Sequence, residues 1–285
     1  MASRVEKSLV EQTLAEIRIY PVKSLYGACV DKSHVAAPGL IGDRRWMVVQ
    51  PDGKFRTLRE TPAFTRIFAA VTASGLRLTR RDTGFYLDVP FPDEKAELRD
   101  VTVWRSTLAA RDAGDRAAKF LRDATGQDLR LVHMYDETLR RPNPALCEPT
   151  DVVSFADGYP MLLTGRASLD ALNDALARPV EMRVFRPNLV IEGAAPWAED
   201  GWRRIRIGKV AFRVVTPCQR CVMTTRDPDT GKVPVRGEPL DTLGRIHGDG
   251  EGRPMFGQNL IPDRPGQIAV GDRVEVLESG PSNLP

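Results

Sequence analysis

Two cysteines, Cys218 and Cys221, are separated by only two residues and carry the strongest chemical signal in the sequence. Their spacing suits part of a structural zinc site, a redox-active dithiol, or two buried thiols without any chemistry. The other candidate zinc ligands are dispersed and offer no second closely spaced pair; they are Cys29, Cys147, His34, His133 and His247. A redox dithiol belongs where a strand turns into a helix, whereas residues 222–225 look extended. Buried, inert thiols are therefore the commonest outcome of such a spacing.

Arg220 lies between the two cysteines and changes this interpretation. A nearby cation stabilises a thiolate relative to the thiol. A thiolate is a soft ligand that prefers a soft or high-valent metal. The segment 218–221 is therefore a candidate metal-binding segment.

Two further segments combine cations with other polar or aromatic groups. Lys23 and Ser24 follow a predicted strand and offer an ammonium and a hydroxyl that suit a phosphate, although a solvated surface turn has the same pattern. Arg44 and Arg45 precede Trp46, so guanidinium groups and an indole could hold a flat anionic ligand. The alternative is a strand start with exposed arginines.

Arg186 and Asn188 lie directly before the apolar run 189–191, where a strand enters the core. A buried arginine needs a partner, which is either a carboxylate or the phosphate of a ligand. The chain has a formal net charge of +3, with arginines scattered rather than clustered in a basic stripe. This mild positive charge favours a small anionic ligand over nucleic acid.

The composition is that of an ordinary globular protein, with 42% hydrophobic and 28% charged residues among 285. The charged N-terminal residues 1–7 contain no apolar core of a signal peptide, and no apolar run approaches the roughly 20 residues that span a bilayer. The four cysteines do not form a disulfide framework. We therefore expect a cytoplasmic protein with no membrane association.

The hydrophobic pattern predicts a mainly β fold with a few helices, of the α+β class. Strands are predicted at residues 14–20, 46–49, 75–79, 85–89 and 101–104, and a helix over residues 114–126. In the second half, Ser168 is expected to cap a helix that ends at Pro179. Residues 204–207 and 210–215 read as a β-hairpin, with a similar pair around residues 271–272. We place the domains at residues 14–135 and 145–279.

Taken together, these segments resemble the MOSC family over residues 17–277, and in particular the amidoxime-reducing branch with mitochondrial and bacterial members. The matching segments in order are YPVKS (20–24), GDRRW (42–46), FRPN (185–188), CQRCVMTTRDPDTG (218–231) and FGQN (256–259). The last part of the cysteine segment is the most specific. The resemblance implies an N-terminal MOSC-type β-rich domain followed by a C-terminal MOSC β-barrel.

The resemblance also implies a molybdenum cofactor, a molybdopterin that carries the metal, and gives individual residues a role. Cys221 is the implied metal ligand and catalytic residue, whereas Cys218 is not a ligand. Lys23 and Ser24 match the positions that bind the pterin phosphate. The other implied cofactor contacts are Arg44, Arg186, Asn188, Arg220 and Thr224. Gly158 and Tyr159 stand where mitochondrial members have hydroxyl residues.

The implied activity is reduction of a small N-hydroxylated compound. Mitochondrial members carry an N-terminal membrane anchor and some bacterial members a C-terminal ferredoxin domain; we expect neither here, and no cysteine follows Cys221 in the sequence. We therefore expect electrons from a separate protein: a ferredoxin, a flavodoxin, or a cytochrome b5-like protein with its reductase. Asp227 and Asp229 are candidate proton donors, although a turn role is favoured. Two alternatives stay open: a sulfur carrier with a persulfide on Cys221, or a cofactor-binding protein without turnover.

Overall fold

Strands dominate the computed structural model, which describes residues 11–284. The charged segment 1–7 considered above lies outside the described residues. The first half contains β1 (Thr13–Ile19), β2 (Ala28–Val30), β3 (Lys32–Ala36), β4 (Gly39–Leu40), β5 (Trp46–Val49), β6 (Ile67–Thr72), β7 (Gly75–Arg80), β8 (Tyr86–Pro90), β9 (Leu98–Val103), β10 (Ser106–Asp112), helix α1 (Asp115–Thr125) and β11 (Arg130–His133). The second half contains β12 (Met161–Gly165), α2 (Arg166–Ala175), β13 (Leu189–Glu192), β14 (Trp202–Ile207), β15 (Val210–Gln219), α3 (Leu240–His247), β16 (Met255–Pro262), β17 (Gly266–Ala269) and β18 (Val274–Ser279). The predicted mainly β fold is confirmed.

One large sheet joins the two ends of the chain. Its strand order is β18-β14-β15-β16-β12-β13-β1-β2, and β1 pairs antiparallel with β13, with Leu14 opposite Ile191. The three smaller sheets are β5-β11-β10-β9, β6-β7-β8 and β17-β3-β4. Because β1 belongs to the large sheet and β5 to a smaller one, the chain between them runs along the junction of the two halves.

Apolar side chains of the strands and of one face of α1 form the cores of the two halves. Leu14 and Ile17 of β1 are fully buried in a cluster with β13 and β14 residues. In the first half, Trp46 and Phe64 pack with Phe120 of α1. Gly126 adopts a left-handed φ of 72° and ends α1 where the sequence predicted.

Three predictions about the second half are wrong. Ser168 does not cap α2 but lies inside it, because its hydroxyl donates to the buried carboxylate of Glu199 at 2.8 Å and accepts the Trp197 N–H. The helix also ends at Ala175, before Pro179. The hairpin of β14 and β15 is confirmed. The second expected pair is not a hairpin, because β17 pairs with β3 and β18 with β14.

None of the helices within residues 11–284 is long and apolar enough to cross a membrane.

Gly27 lies where the chain turns back from β1 towards β2, against the ring of Tyr20. A Cβ atom at position 27 would lie 2.4 Å from Tyr20 Cδ1 and 2.4 Å from the Ile19 carbonyl oxygen. We expect Gly27→Ala to lower the free energy of unfolding by about 1–3 kcal/mol, measured by urea denaturation, because the ring or the backbone must move. Gly158→Ala is the control, since no atom lies within 4 Å of its Cβ; equal losses in both variants would contradict the steric account.

His133 of β11 is packed against Trp46 and Phe91, with ring centroids at 4.5 and 5.4 Å. Burial, aided by the Arg45 guanidinium, lowers the pKa of His133 to about 4. The neutral ring thus stabilises the fold above the unfolded pKa of about 6.5, and this contribution is lost as the pH falls towards about 4. Between pH 7 and 4.5, the free energy of unfolding of the wild type, measured by urea denaturation, should decline. His133→Phe should make that decline smaller by up to roughly 3 kcal/mol. The same substitution at the exposed His34 should leave that decline in place; an unchanged decline in His133→Phe would refute the assignment.

Candidate active site

A cleft at the junction of the two halves gathers most of the residues singled out in the sequence. It is lined by Lys23, Ser24, Arg44, Arg186, Asn188, Cys218, Arg220 and Cys221, together with Arg59 and Asp157. The residues predicted from the sequence come from four distant segments of the chain, and Arg59 and Asp157 come from two more. Five of the lining side chains are cationic and only Asp157 is acidic, so the cleft carries an excess of positive charge.

Backbone hydrogen bonds between two loops build the floor of this cleft. The Arg44 N–H donates to the Tyr20 carbonyl at 2.8 Å, and the Lys23 N–H donates to the Trp46 carbonyl at 2.8 Å. Val22, which precedes Lys23, is fully buried in the core of the first half. The loop after β1 is therefore fixed on both sides of the lysine.

Three of the lining residues have a left-handed backbone, with φ of 67° at Ser24, 48° at Arg44 and 54° at Arg186. Within residues 11–284 only two other non-glycine residues share this conformation, Trp104 and Trp197. Each such residue costs roughly 1–3 kcal/mol, and they cluster at functional sites. The concentration of strain around one cleft supports a functional role for it.

The ring of Tyr20 lies between two guanidinium groups. The central guanidinium carbons of Arg44 and Arg186 are each 4.3 Å from the ring centroid. Asp43 supplies the nearby carboxylate: it accepts the Tyr20 N–H at 2.8 Å and pairs with Arg44 at 2.6 Å. Burial raises the pKa of Tyr20, while burial and the charge of Arg44 lower the pKa of Arg186 to about 10. Asp43 pairs with Arg44, whereas Arg186 has no carboxylate partner within residues 11–284, so this cluster suits an anionic ligand.

Lys23 is not a solvated surface residue, because only 5% of it is exposed. Its ammonium donates to the Phe155 carbonyl at 2.8 Å and pairs with Asp157. The rings of Phe55 and Trp104 lie 5.6 and 5.8 Å away. Burial lowers the pKa of Lys23, and the Asp157 carboxylate opposes that shift. The structure therefore excludes the alternative of a solvated surface turn.

Asn188 is buried and its amide is already bonded within the protein. Its Oδ1 accepts from Arg44 Nη1 at 3.0 Å and from the Leu162 N–H at 3.2 Å, and its Nδ2 donates to the Arg18 carbonyl at 3.1 Å. The other terminal nitrogen of Arg44 donates to the Arg186 carbonyl at 3.1 Å. Asn188 thus fixes the direction of the Arg44 guanidinium.

The two cysteines differ in their surroundings. Cys221 is exposed and Cys218 is partly buried, so the interpretation as two buried thiols is wrong. Arg220 donates to the Cys218 sulfur at 2.9 Å and to the Phe185 carbonyl at 2.7 Å, rather than to Cys221. Residues Val222–Thr225 form a 3₁₀ helix rather than the expected extended segment. The Cys221 thiol is therefore exposed two residues after the end of β15, whereas the Cys218 sulfur is hydrogen-bonded to Arg220.

Thr224 is the one predicted site residue that the structure does not bring to the cleft. It is 2% exposed and lines a separate cavity. Its hydroxyl and its backbone N–H both donate to the Cys221 carbonyl, at 2.9 and 3.0 Å. Its role is to hold the turn that carries Cys221.

The two candidate proton donors have other tasks. Asp227 accepts the Thr230 N–H at 2.8 Å, which confirms the turn role. Asp229 is bound by Tyr26 and by the guanidinium groups of Arg81 and Arg183. Those contacts hold the pKa of Asp229 far below its ordinary value, with the hydrogen bond from Arg183 as the main cause. Neither aspartate lines the cleft.

Several residues of the site were missed in the sequence. Tyr20 was quoted within a motif but given no role, and Arg59, Trp104 and Asp157 had no local signal at all. Trp104 donates to Asp157 at 3.0 Å, and the Arg59 guanidinium lies 5.3 Å from the Trp104 ring. Only the tertiary fold brings these residues to Lys23.

The chain is similar to known proteins over most of its length. Residues 11–128 match the family model of the MOSC N-terminal beta barrel domain, and residues 150–275 match that of the MOSC domain. Mitochondrial amidoxime-reducing component 1 of Homo sapiens is 35% identical over 93% of this chain and 83% of its own length. The Mus musculus protein of that name is 36% identical over 93% of this chain and 82% of its own length. Mitochondrial amidoxime reducing component 2 of Homo sapiens is 33% identical over 92% of this chain and 82% of its own length.

The Asp43 carboxylate is fully buried and pairs with Arg44, whose side chain is 12% exposed. We expect Asp43→Asn to lower the free energy of unfolding by about 3–5 kcal/mol in urea denaturation, because the largely buried Arg44 guanidinium then loses its counter-charge. Asp88→Asn is the matched control, since Asp88 pairs with Arg77 on the exposed faces of β7 and β8. That change should cost at most about 1 kcal/mol. Similar losses in the two variants would rule out a special role for Asp43.

Proposed function

The chain belongs to the MOSC family, and from that membership we propose that it is a molybdenum-cofactor-dependent reductase of N-hydroxylated compounds such as amidoximes, hydroxylamines and N-hydroxylated bases. One observation carries the proposal: the exposed Cys221 thiol lies in the same cleft as Lys23, Arg44 and Arg186. The names of the relatives, which describe amidoxime reduction, support the substrate class.

The residues of the cleft fit an anionic cofactor that needs a thiolate ligand. Arg59 and Arg220 each have an enclosed Nε atom without a hydrogen-bond partner among residues 11–284. Arg186 is not paired with a carboxylate within that range either. Enclosed donors and unpaired charges are costly unless a ligand satisfies them. The phosphate and the pterin ring of molybdopterin offer suitable acceptors.

Each cleft residue has a task in this proposal. Lys23 and Ser24 bind the phosphate, and Arg44 and Arg186 neutralise the rest of the anion. Cys221 ligates the metal as a thiolate. When bound, the cofactor supplies a metal centre that exchanges two electrons, as reduction of an N–OH group to N–H requires.

Other residues position this set. Asn188 fixes Arg44 through the 3.0 Å hydrogen bond, and Asp43 fixes both Arg44 and the Tyr20 backbone. Thr224 fixes the Cys221 carbonyl. The left-handed backbones of Ser24, Arg44 and Arg186 keep these side chains in place before a ligand arrives.

The proposed reaction converts an amidoxime, two electrons and two protons into the amidine and water. We propose a separate electron-donor protein as partner: a ferredoxin, a flavodoxin, or a cytochrome b5-like protein with its reductase. The cytoplasm is the proposed location. Asp227 and Asp229 are not assigned as proton donors, because both are occupied in other contacts.

A sulfur carrier is the alternative that the exposed thiol also favours, since a persulfide on Cys221 would be accessible. In that case Cys221 would carry a sulfur that cyanide releases, and the purified protein would not reduce benzamidoxime with any electron donor.

The proposal is tested on protein made in a cofactor-competent host. Cys221→Ala should lower the molybdenum content and the benzamidoxime reduction rate by at least about tenfold, because it removes a direct ligand. Molybdenum is measured by elemental analysis, and reduction with a chemical or protein electron donor. Cys218→Ala should retain the metal, since Cys218 is not the proposed ligand.

Cys29→Ala is the control, because Cys29 lies on β2, outside the cleft. It should match the wild type in both measurements. Absence of molybdenum from the wild type, or its loss only in Cys218→Ala, would disprove the assignment of Cys221.

A further inference from the structure

The turn that follows Cys221 carries a carboxylate to which the proposed reaction gives no task. Asp229 lies eight residues after Cys221, and its side chain is 39% exposed. Three side chains from other parts of the chain donate to it. The Tyr26 hydroxyl lies 2.7 Å from Oδ1 and a terminal nitrogen of Arg81 lies 2.8 Å from it, while the Arg183 guanidinium binds both oxygens. We call Asp229 and its three donors the Asp229 clasp.

The donors reach Asp229 from both halves of the chain. Tyr26 lies between β1 and β2, Arg81 directly follows β7, and Arg183 lies in the 3₁₀ helix Met182–Val184. Arg183 also donates to the Tyr26 hydroxyl at 3.1 Å, and the central guanidinium carbon of Arg81 lies 4.5 Å from the Tyr26 ring centroid. Burial and the hydrogen bond to Asp229 raise the pKa of Tyr26 to about 12, so the phenol keeps the proton that it donates. One carboxylate therefore connects the two halves.

Two of the segments that the clasp holds also carry residues of the cleft. Ser24 lies two residues before Tyr26, and Arg186 lies three residues after Arg183, whose carbonyl accepts the Arg186 N–H at 3.2 Å. The Arg186 guanidinium in turn donates to the Leu25 carbonyl at 2.8 Å. Tyr26 and Arg183 do not line the cleft, but they share a neighbouring cavity with Ser24 and Arg186. The clasp therefore fixes these two segments against each other from outside the cleft.

The third segment carries Cys221. The Thr224 N–H donates to the Cys221 carbonyl at 3.0 Å, and the Arg226 N–H donates to the Met223 carbonyl at 3.3 Å. Only two residues separate Arg226 from Asp229. Backbone hydrogen bonds thus run from the thiol-bearing residue almost to the clasp, so a displacement of Asp229 is transmitted to Cys221.

We propose that Asp229 is a positioning residue for the cofactor cleft. Its carboxylate sets where the Cys221 thiol lies relative to Ser24 and Arg186. This inference rests on the proposed function, because the groups that the clasp aligns are the proposed cofactor contacts. A ligand that is held by separate segments of a chain binds tightly only if those segments are already aligned, since ordering them on binding costs free energy. The clasp supplies that alignment before the cofactor arrives.

Hydrogen exchange of the full-length protein, followed by mass spectrometry, tests the clasp without depending on the cofactor. Asp229→Asn keeps the size of the side chain and removes its charge. It should speed exchange at least about threefold in all three segments, because they lose the contact that closes them together; they are residues 22–26, 183–186 and 221–231. Asp112→Asn is the matched control, since Asp112 also pairs with two arginines but lies on β10 and does not line the cleft. It should leave exchange in the three segments unchanged.

Retention of molybdenum is the second measurement. Protein purified from a cofactor-competent host is dialysed, and the remaining metal is measured over time by elemental analysis. Asp229→Asn should lose molybdenum at least about fivefold faster than the wild type, because a displaced ligand holds the metal less tightly. Asp112→Asn should lose it at the wild-type rate. Tyr26→Phe removes one donor of the clasp and should cause smaller changes in the same direction in both measurements, which keeps the test decisive if Asp229→Asn does not fold.

Faster exchange confined to residues 227–231 would overturn the inference, because Asp229 would then hold only its own turn. Equal rates of molybdenum loss in Asp229→Asn and Asp112→Asn would overturn it as well. These results are separable from the fate of the proposed function. If the three segments respond together while the wild type holds no molybdenum, the reductase proposal fails and the alignment by Asp229 stands. If the wild type holds molybdenum and reduces benzamidoxime while Asp229→Asn matches it in both measurements, only the clasp fails.

Discussion

The packing of two guanidinium groups against the Tyr20 ring is the interaction on which the rest of the site depends. Arg44 and Arg186 come from opposite halves of the chain, and like charges so close together need both an aromatic face and a counter-charge. Asp43 provides a single buried carboxylate, which pairs with Arg44. The cluster therefore joins the two halves and leaves positive charge for an anionic ligand to neutralise.

Much of the surrounding structure serves this cluster. Gly27 leaves room for the Tyr20 ring, and Asn188 directs Arg44. The left-handed backbones of Arg44 and Arg186 are tolerated because neighbouring hydrogen bonds hold them. The strand β1, which ends directly before Tyr20, is paired with β13 of the second half, which begins three residues after Arg186. The exposed Cys221 thiol then completes a site built from distant segments of the chain.

The sequence predicted the features that depend on local pattern. The hydrophobic pattern predicted the strand Trp46–Val49, and Gly126 marked the end of α1. The sequence-based prediction failed where a residue distant in sequence determines the local structure. Ser168 lies inside a helix because its hydroxyl is bound by Glu199. The pairing of β17 with β3 has no signal in the sequence of either strand. The sequence placed Arg220 between two equivalent cysteines, and only the structure shows that its guanidinium donates to Cys218 and to the Phe185 carbonyl. Asp157 and Trp104 gave no local signal because only the fold brings them to Lys23.

The central claim is that this cationic cleft holds a molybdenum cofactor through Cys221. It is tested most directly by an anomalous difference map at the molybdenum edge, from crystals of protein purified from a cofactor-competent host. The account predicts one strong peak within bonding distance of the Cys221 sulfur, with ligand density reaching Lys23 and Arg186. A peak at Cys218, or metal bound elsewhere while the cleft holds no ligand, would contradict it.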